Sequence, residues 1–82
     1  MDCISEIKQA KRTIVFGDSL CGFTQAAIRE LPDSDILFFD KQKQGEMMKD
    51  YLKTELNHNT VPLIFVKGEF VGGYSNLRNS TK

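Results

Sequence analysis

The sequence predicts an α/β fold, a four-stranded mixed sheet flanked by helices in the order β-α-β-α-β-β-α, with a short N-terminal helix ahead of it. Three observations carry that reading. Apolar runs rich in β-branched and aromatic residues recur at Thr13–Phe16, Ile36–Phe39 and Leu63–Val66. Amphipathic stretches separate the first run from the second and the second from the third, and the first of them suits a parallel β-α-β unit. The third run is followed, after Lys67-Gly68-Glu69, by Phe70-Val71, a spacing that suits a tight antiparallel hairpin.

Each element has its own local cause. Ile4, Ile7 and Ala10 give a short amphipathic segment at the start. Thr13-Ile14-Val15-Phe16 is continuously apolar, which predicts a strand covered on both faces, and Gly17-Asp18-Ser19 ends it. Residues 22–31 carry Phe23, Ala27 and Leu31 at i, i+4 and i+8, and Pro32 closes that helix. Ile36–Phe39 reads as a second buried strand. From Gln44 to Leu56 the stripe Met48, Leu52, Leu56 gives a second amphipathic helix, flanked by Met47, Tyr51 and Glu55. Pro62 cannot donate to a ladder and marks the start of the third strand, where a trans peptide is the default. Gly72-Gly73 ends the fourth, and Ser75-Asn76 is placed to cap a short last helix. This succession is the architecture of a small thioredoxin-like domain.

Composition narrows the function classes. Eighty-two residues make one domain, residues 1–82, with 40% hydrophobic and 27% charged residues as in globular proteins. Eleven basic residues balance eleven acidic ones, so no broad field favours nucleic acid or an anionic membrane. No apolar run approaches the roughly 20 residues of a membrane span. The polar start Met1–Glu6 does not read as a signal peptide, and a cytoplasmic chain is expected. Two cysteines, Cys3 and Cys21, are too few for a disulfide framework or, with the single His58, for a four-ligand zinc site.

Cys21 falls between the first strand and the first helix, where open α/β sheets place their sites. A thiolate there faces the unpaired N–H groups of Phe23 and Thr24 and the positive end of the helix dipole, which lowers its pKa. The competing reading is a small buried hydrophobe, and location alone leaves both open. Thr24 stands three residues on, one helical turn from the sulfur. Its hydroxyl can donate to a thiolate but cannot resolve a mixed disulfide, so exchange would need an external thiol. A plain helix-capping threonine is the alternative. Cys3 reads as a free, partly buried thiol and His58 as an exposed loop residue.

Taken together, Val15–Thr24, Thr60-Val61-Pro62 and Gly72–Leu77 resemble the three sequence blocks of a glutaredoxin, and the resemblance runs from about residue 13 to residue 77. It implies that Cys21 is the nucleophile, with Thr24 auxiliary to it, that the Val61-Pro62 peptide is cis, and that glutathione is the co-substrate. Phe23 resembles the aromatic that flanks the tripeptide. Thr60 and Val61, ahead of Pro62, resemble the segment that pairs with its cysteinyl backbone. Gly73, Ser75 and Asn76 match the block that holds the γ-glutamyl end. Lys49 falls where the family has a side chain on the glycine carboxylate, although an ordinary solvated helix lysine is an equal reading. The CGFT run is closer to the monothiol CGFS type than to the dithiol CPYC type, on a scaffold of dithiol length. Two charges depart from the family pattern: Asp18 stands where it has a lysine, and Asn76 where it has an aspartate. Asp18 is expected to raise the Cys21 pKa and weaken ligand binding.

The function implied is glutathione-dependent reduction of glutathionylated proteins or small mixed disulfides by a monomer, through a monothiol route. A second reading is a dimer holding a [2Fe-2S] cluster through two Cys21 thiolates and two glutathione thiolates. A redox-inactive adaptor is the third.

Overall fold

The computed structural model describes residues 3–80, the side chains of Cys3 and Ser80 excepted. Helix α1 (Cys3–Ala10) precedes strand β1 (Ile14–Gly17), helix α2 (Gly22–Glu30) and strand β2 (Asp35–Phe38). A 3₁₀ turn over Phe39–Lys41 leads into helix α3 (Gly45–Glu55), then strands β3 (Leu63–Val66) and β4 (Glu69–Gly72) and helix α4 (Tyr74–Ser80). The sheet order is β2-β1-β3-β4, with β1 parallel to β2 and antiparallel to β3, and β3 antiparallel to β4. This is the predicted mixed sheet in a thioredoxin-like arrangement. No helix among the described residues is long and apolar enough to cross a membrane.

The two-residue period of the strands divides the core into two layers. Ile14 and Phe16 of β1 join Leu63 and Phe65 of β3 on one face, where Ile4 and Ile7 of α1, Phe39 of the 3₁₀ turn and Leu52 of α3 close over them. Val15 and Ile64 point the other way, onto Ala27 of α2 and Leu77 of α4. Phe16 stacks on Phe39 at 5.9 Å between centroids and meets Phe65 edge-on at 6.2 Å. Each such buried ring contributes about 1.5–3 kcal/mol by leaving water. Met48 and Leu56 pack against the first layer as their stripe predicts.

Four local expectations change. The second strand is not buried: it runs Asp35–Phe38 at the edge of the sheet, and Ile36 is 43% exposed. An edge strand has one neighbour and fewer covering contacts, and Phe39 leaves it to fill the core. On α2 the inward position of the first turn is Thr24, fully buried, whereas Phe23 is 64% exposed. Thr24 fits because Gly17 lies beneath it; a Cβ on Gly17 would come within 2.3 Å of the Thr24 hydroxyl. Ser75-Asn76 is not the cap of α4. Gly73 begins that helix by accepting from the Leu77 N–H, while its own N–H donates to Asn76 Oδ1 at 3.1 Å, half of a capping box. Finally, the Val61-Pro62 peptide is cis, against the default for a strand-start proline and as the family resemblance implies. The β3–β4 turn is Lys67-Gly68, both with positive φ, the type I′ geometry of a two-residue hairpin. The expectation for the Cys3 thiol lies outside the described residues.

Candidate functional site

Cys21 is the N-cap residue of α2, half-buried at the carboxyl end of β1. Its N–H donates to Asp18 O at 3.0 Å and its carbonyl accepts from the Gln25 N–H at 3.1 Å, so the backbone is fixed and the sulfur is held near the first turn of the helix. The loop ahead of it is tied on three sides. Ser19 donates through its N–H, at 2.8 Å, and through its hydroxyl to the Asp40 carboxylate, which both bonds hold below the ordinary range. Gln25 Nε2 donates to Ser19 O at 2.9 Å, and Lys49 Nζ lies 3.2 Å from Asp18 Oδ2. Leu20, 95% exposed, is left pointing outward beside the cysteine.

The electrostatics of the thiol are a contest. Partial burial pushes the Cys21 pKa up, but the Thr24 N–H, the Thr24 hydroxyl and the Phe23 N–H outweigh it, and the thiol sits below its ordinary value. Asp18 acts against the thiolate, as expected of an anion there, without reversing the balance. The Thr24 hydroxyl is buried and has no hydrogen-bond partner among the described residues. An orphaned buried hydroxyl is costly, and the adjacent thiolate is the acceptor that relieves it. Capping is therefore not the role of Thr24.

One change isolates the Asp18 contribution. Asp18→Asn removes an anion near the sulfur and frees Lys49, so both effects favour the thiolate and the Cys21 pKa falls further. The pH midpoint of Cys21 alkylation is expected to move to lower pH, with a slightly slower plateau above it because a less basic thiolate is a weaker nucleophile. A midpoint that stays or rises would contradict the assignment.

An open cleft of about 500 Å³ is walled in part by Phe23, two residues beyond Cys21; neither Cys21 nor Thr24 lines it. Seven residues singled out in the sequence line it: Phe23, Lys49, Thr60, Val61, Gly73, Ser75 and Asn76. Pro62 is buried beneath that wall rather than in it. Phe23 leans on Tyr74 with ring centroids 6.2 Å apart, forming one side. Four lining residues were not foreseen: Lys53, His58, Asn59 and Tyr74. The helical spacing of Lys49 and Lys53 was a usable signal, since i and i+4 share a face. His58 departs from the exposed loop residue expected. It is half-buried, edge-on to Phe70 at 5.6 Å, with Nε2 3.2 Å from Thr60 Oγ1, and it packs against the Gly73 backbone. Lys49 is not the solvated lysine of one reading either, because its side chain is 17% exposed and ion-paired. Among the described residues no carboxylate lines the cleft, while two lysines do, so it suits an anionic ligand.

Comparison with known proteins gives this geometry its context. No family model matches the chain. Over 80 residues it is 34% identical to Glutaredoxin-1 of Rhizophagus irregularis, covering 93% of this chain and 79% of that protein. The chain belongs to the glutaredoxin family. Glutaredoxins are thiol oxidoreductases. A mitochondrial monothiol glutaredoxin of Oryza sativa subsp. japonica is 41% identical over 54 residues, 65% of this chain but 29% of that one. Among solved structures, the dithiolic glutaredoxin of Trypanosoma brucei brucei superposes with a TM-score of 0.82 at 30% identity, covering 99% of this chain and 87% of that chain. A buckwheat glutaredoxin–glutathione complex shares the fold with a TM-score of 0.82 at 18% identity, over 95% of this glutaredoxin and 77% of that chain.

Proposed function

We propose that this glutaredoxin reduces glutathione mixed disulfides by a monothiol route. The observation that carries the reading is a cysteine of lowered pKa two residues from Phe23, which walls a cleft that holds two lysines and, among the described residues, no carboxylate. In the first step the Cys21 thiolate attacks the glutathionyl sulfur of a protein or small mixed disulfide. A Cys21–glutathione disulfide forms, the original disulfide breaks, and the substrate leaves as a thiolate that takes a proton from water. In the second step a glutathione thiolate attacks that intermediate, releasing oxidised glutathione and restoring the Cys21 thiolate. The exchange balances with one free glutathione thiol per turnover: its sulfur is oxidised as the substrate sulfur is reduced, and the second half of the oxidised glutathione is the glutathionyl group taken from the substrate.

The cleft residues have distinct parts in this scheme. Phe23 offers an apolar wall, and Thr60 and Val61 offer backbone groups to the peptide. Gly73, Ser75 and Asn76 close the end formed by the start of α4. Thr24 holds a proton toward the thiolate and, having no sulfur, leaves the second step to free glutathione. The [2Fe-2S] alternative asks for four thiolates, of which this chain supplies one at Cys21. Among the described residues no group of three His, Cys, Asp or Glu side chains could hold a metal. A cluster would thus draw its other ligands from a second copy and from glutathione.

Mixing the reduced protein with one equivalent of a glutathionylated peptide, in the absence of free glutathione, tests the first step. Peptide mapping by mass spectrometry is expected to find the glutathionyl group on Cys21 and the peptide released as a thiol. A peptide–Cys21 disulfide, or no transfer, would overturn the route.

A further inference from the structure

Two lysines line the cleft, and the structure gives them unequal freedom. Lys49 is committed: its ammonium lies 3.2 Å from Asp18 Oδ2 and 3.5 Å from Glu46 Oε1, and 6.0 Å from the centroid of the Phe39 ring beneath it. Its side chain is largely buried, and the Asp18 side chain is itself 30% exposed. Burial alone would lower the Lys49 pKa, but the two carboxylates reverse that and hold the ammonium charged. A ligand carboxylate could take Lys49 only by competing with Asp18, whose release would leave an uncompensated anion near the Cys21 sulfur.

Lys53 lies one turn further along α3, on the same wall, and half-buried. Among the described residues no carboxylate lies within ion-pair distance of its ammonium. Its backbone is fixed, since Lys53 O accepts the His58 N–H at 3.0 Å where α3 ends. The ammonium is therefore available to the cleft at no cost to another pair, and its helix is anchored by Leu52, fully buried in the core.

We propose that Lys53, not Lys49, anchors the ligand carboxylate on the α3 side of the cleft, and that Lys49 is a positioning residue that neutralises Asp18 beside the nucleophile. The inference rests on the reading that the cleft takes the glutathionyl group. It assigns binding and thiolate stabilisation to two different lysines, so single substitutions separate them.

The experiment uses the full chain, a glutathionylated peptide and the same peptide carrying glutathione amide, whose glycine carboxylate is neutral. Lys53→Met is expected to raise KM for the glutathionylated peptide about fivefold, the upper end for one partly exposed ion pair. The pH profile of Cys21 alkylation should stay in place, which also shows the variant is folded, and Lys53→Arg should restore most of the KM. The wild type should lose a similar factor with the amide, and Lys53→Met should lose no more. Lys49→Met should instead shift the alkylation midpoint to higher pH, with a smaller change in KM. The division of labour is overturned if Lys49→Met raises KM while Lys53→Met does not, or if Lys53→Met moves the alkylation profile. Absence of wild-type turnover on either peptide would instead reject the glutathione reading itself.

Discussion

Gly45→Ala is expected to lower the unfolding free energy by about 3 kcal/mol, the high end of overpacking costs. A Cβ at Gly45 would lie 1.7 Å from the Phe39 carbonyl oxygen and 2.6 Å from its carbon. Those are backbone atoms, so no rotamer change relieves the clash. The carbonyl cannot retreat freely, because it accepts the Gln42 N–H and belongs to a residue whose ring is locked against Phe16. Either the 3₁₀ turn opens or α3 moves off the sheet. For a domain of 82 residues holding roughly 4–12 kcal/mol, that loss is a large fraction of the total. Urea unfolding should show a lower midpoint with an unchanged slope. Gly22→Ala is the control: nothing lies within 4 Å of a Cβ there. In the first turn of a helix it should be neutral or stabilising by up to about 1 kcal/mol. Equal losses in both variants would show that the contact between α3 and the 3₁₀ turn is not what Gly45 protects.

What was legible in the sequence follows from the range of the physics. β1 and β3 were readable because a central strand is apolar along its whole length and the chain says so locally. The edge position of β2 was not, since Ile36–Phe39 is as apolar as β1 and only the sheet order distinguishes them. On α2 the stripe Phe23, Ala27, Leu31 has the right period but the wrong first member. Thr24 turns inward because Gly17, seven residues earlier, leaves it room, and that freed Phe23 for the cleft. The candidate nucleophile, Cys21, was legible from its place between strand and helix, together with the three blocks of family resemblance, and the structure places it at the N-cap of α2 with a lowered pKa. The contacts that tune it were not. Asp18 meets Lys49 across 31 residues of sequence, Ser19 meets Asp40 across 21, and His58 is drawn in by Phe70. None of these pairings has a local signature. Asp18 was correctly read as unfavourable to the thiolate, but its compensation by Lys49 required the fold.

In the proposed monothiol route, catalysis runs through one sulfur. In Cys21→Ser the hydroxyl occupies the same N-cap position, where serine is a good cap, so the fold should be kept. Thr24 would still donate toward it. A hydroxyl is not ionised at neutral pH, however, and cannot form the disulfide intermediate with glutathione. Nothing else at the site replaces it, because Thr24 carries no thiol and the ring of His58 has its partners in Thr60 and Phe70. The direct measurement is steady-state reduction of a glutathionylated peptide with glutathione present, comparing the wild type with Cys21→Ser at equal concentration. Saturable turnover by the wild type, with the variant falling to the rate of glutathione alone, is the predicted result. Turnover by Cys21→Ser at the wild-type rate would contradict it.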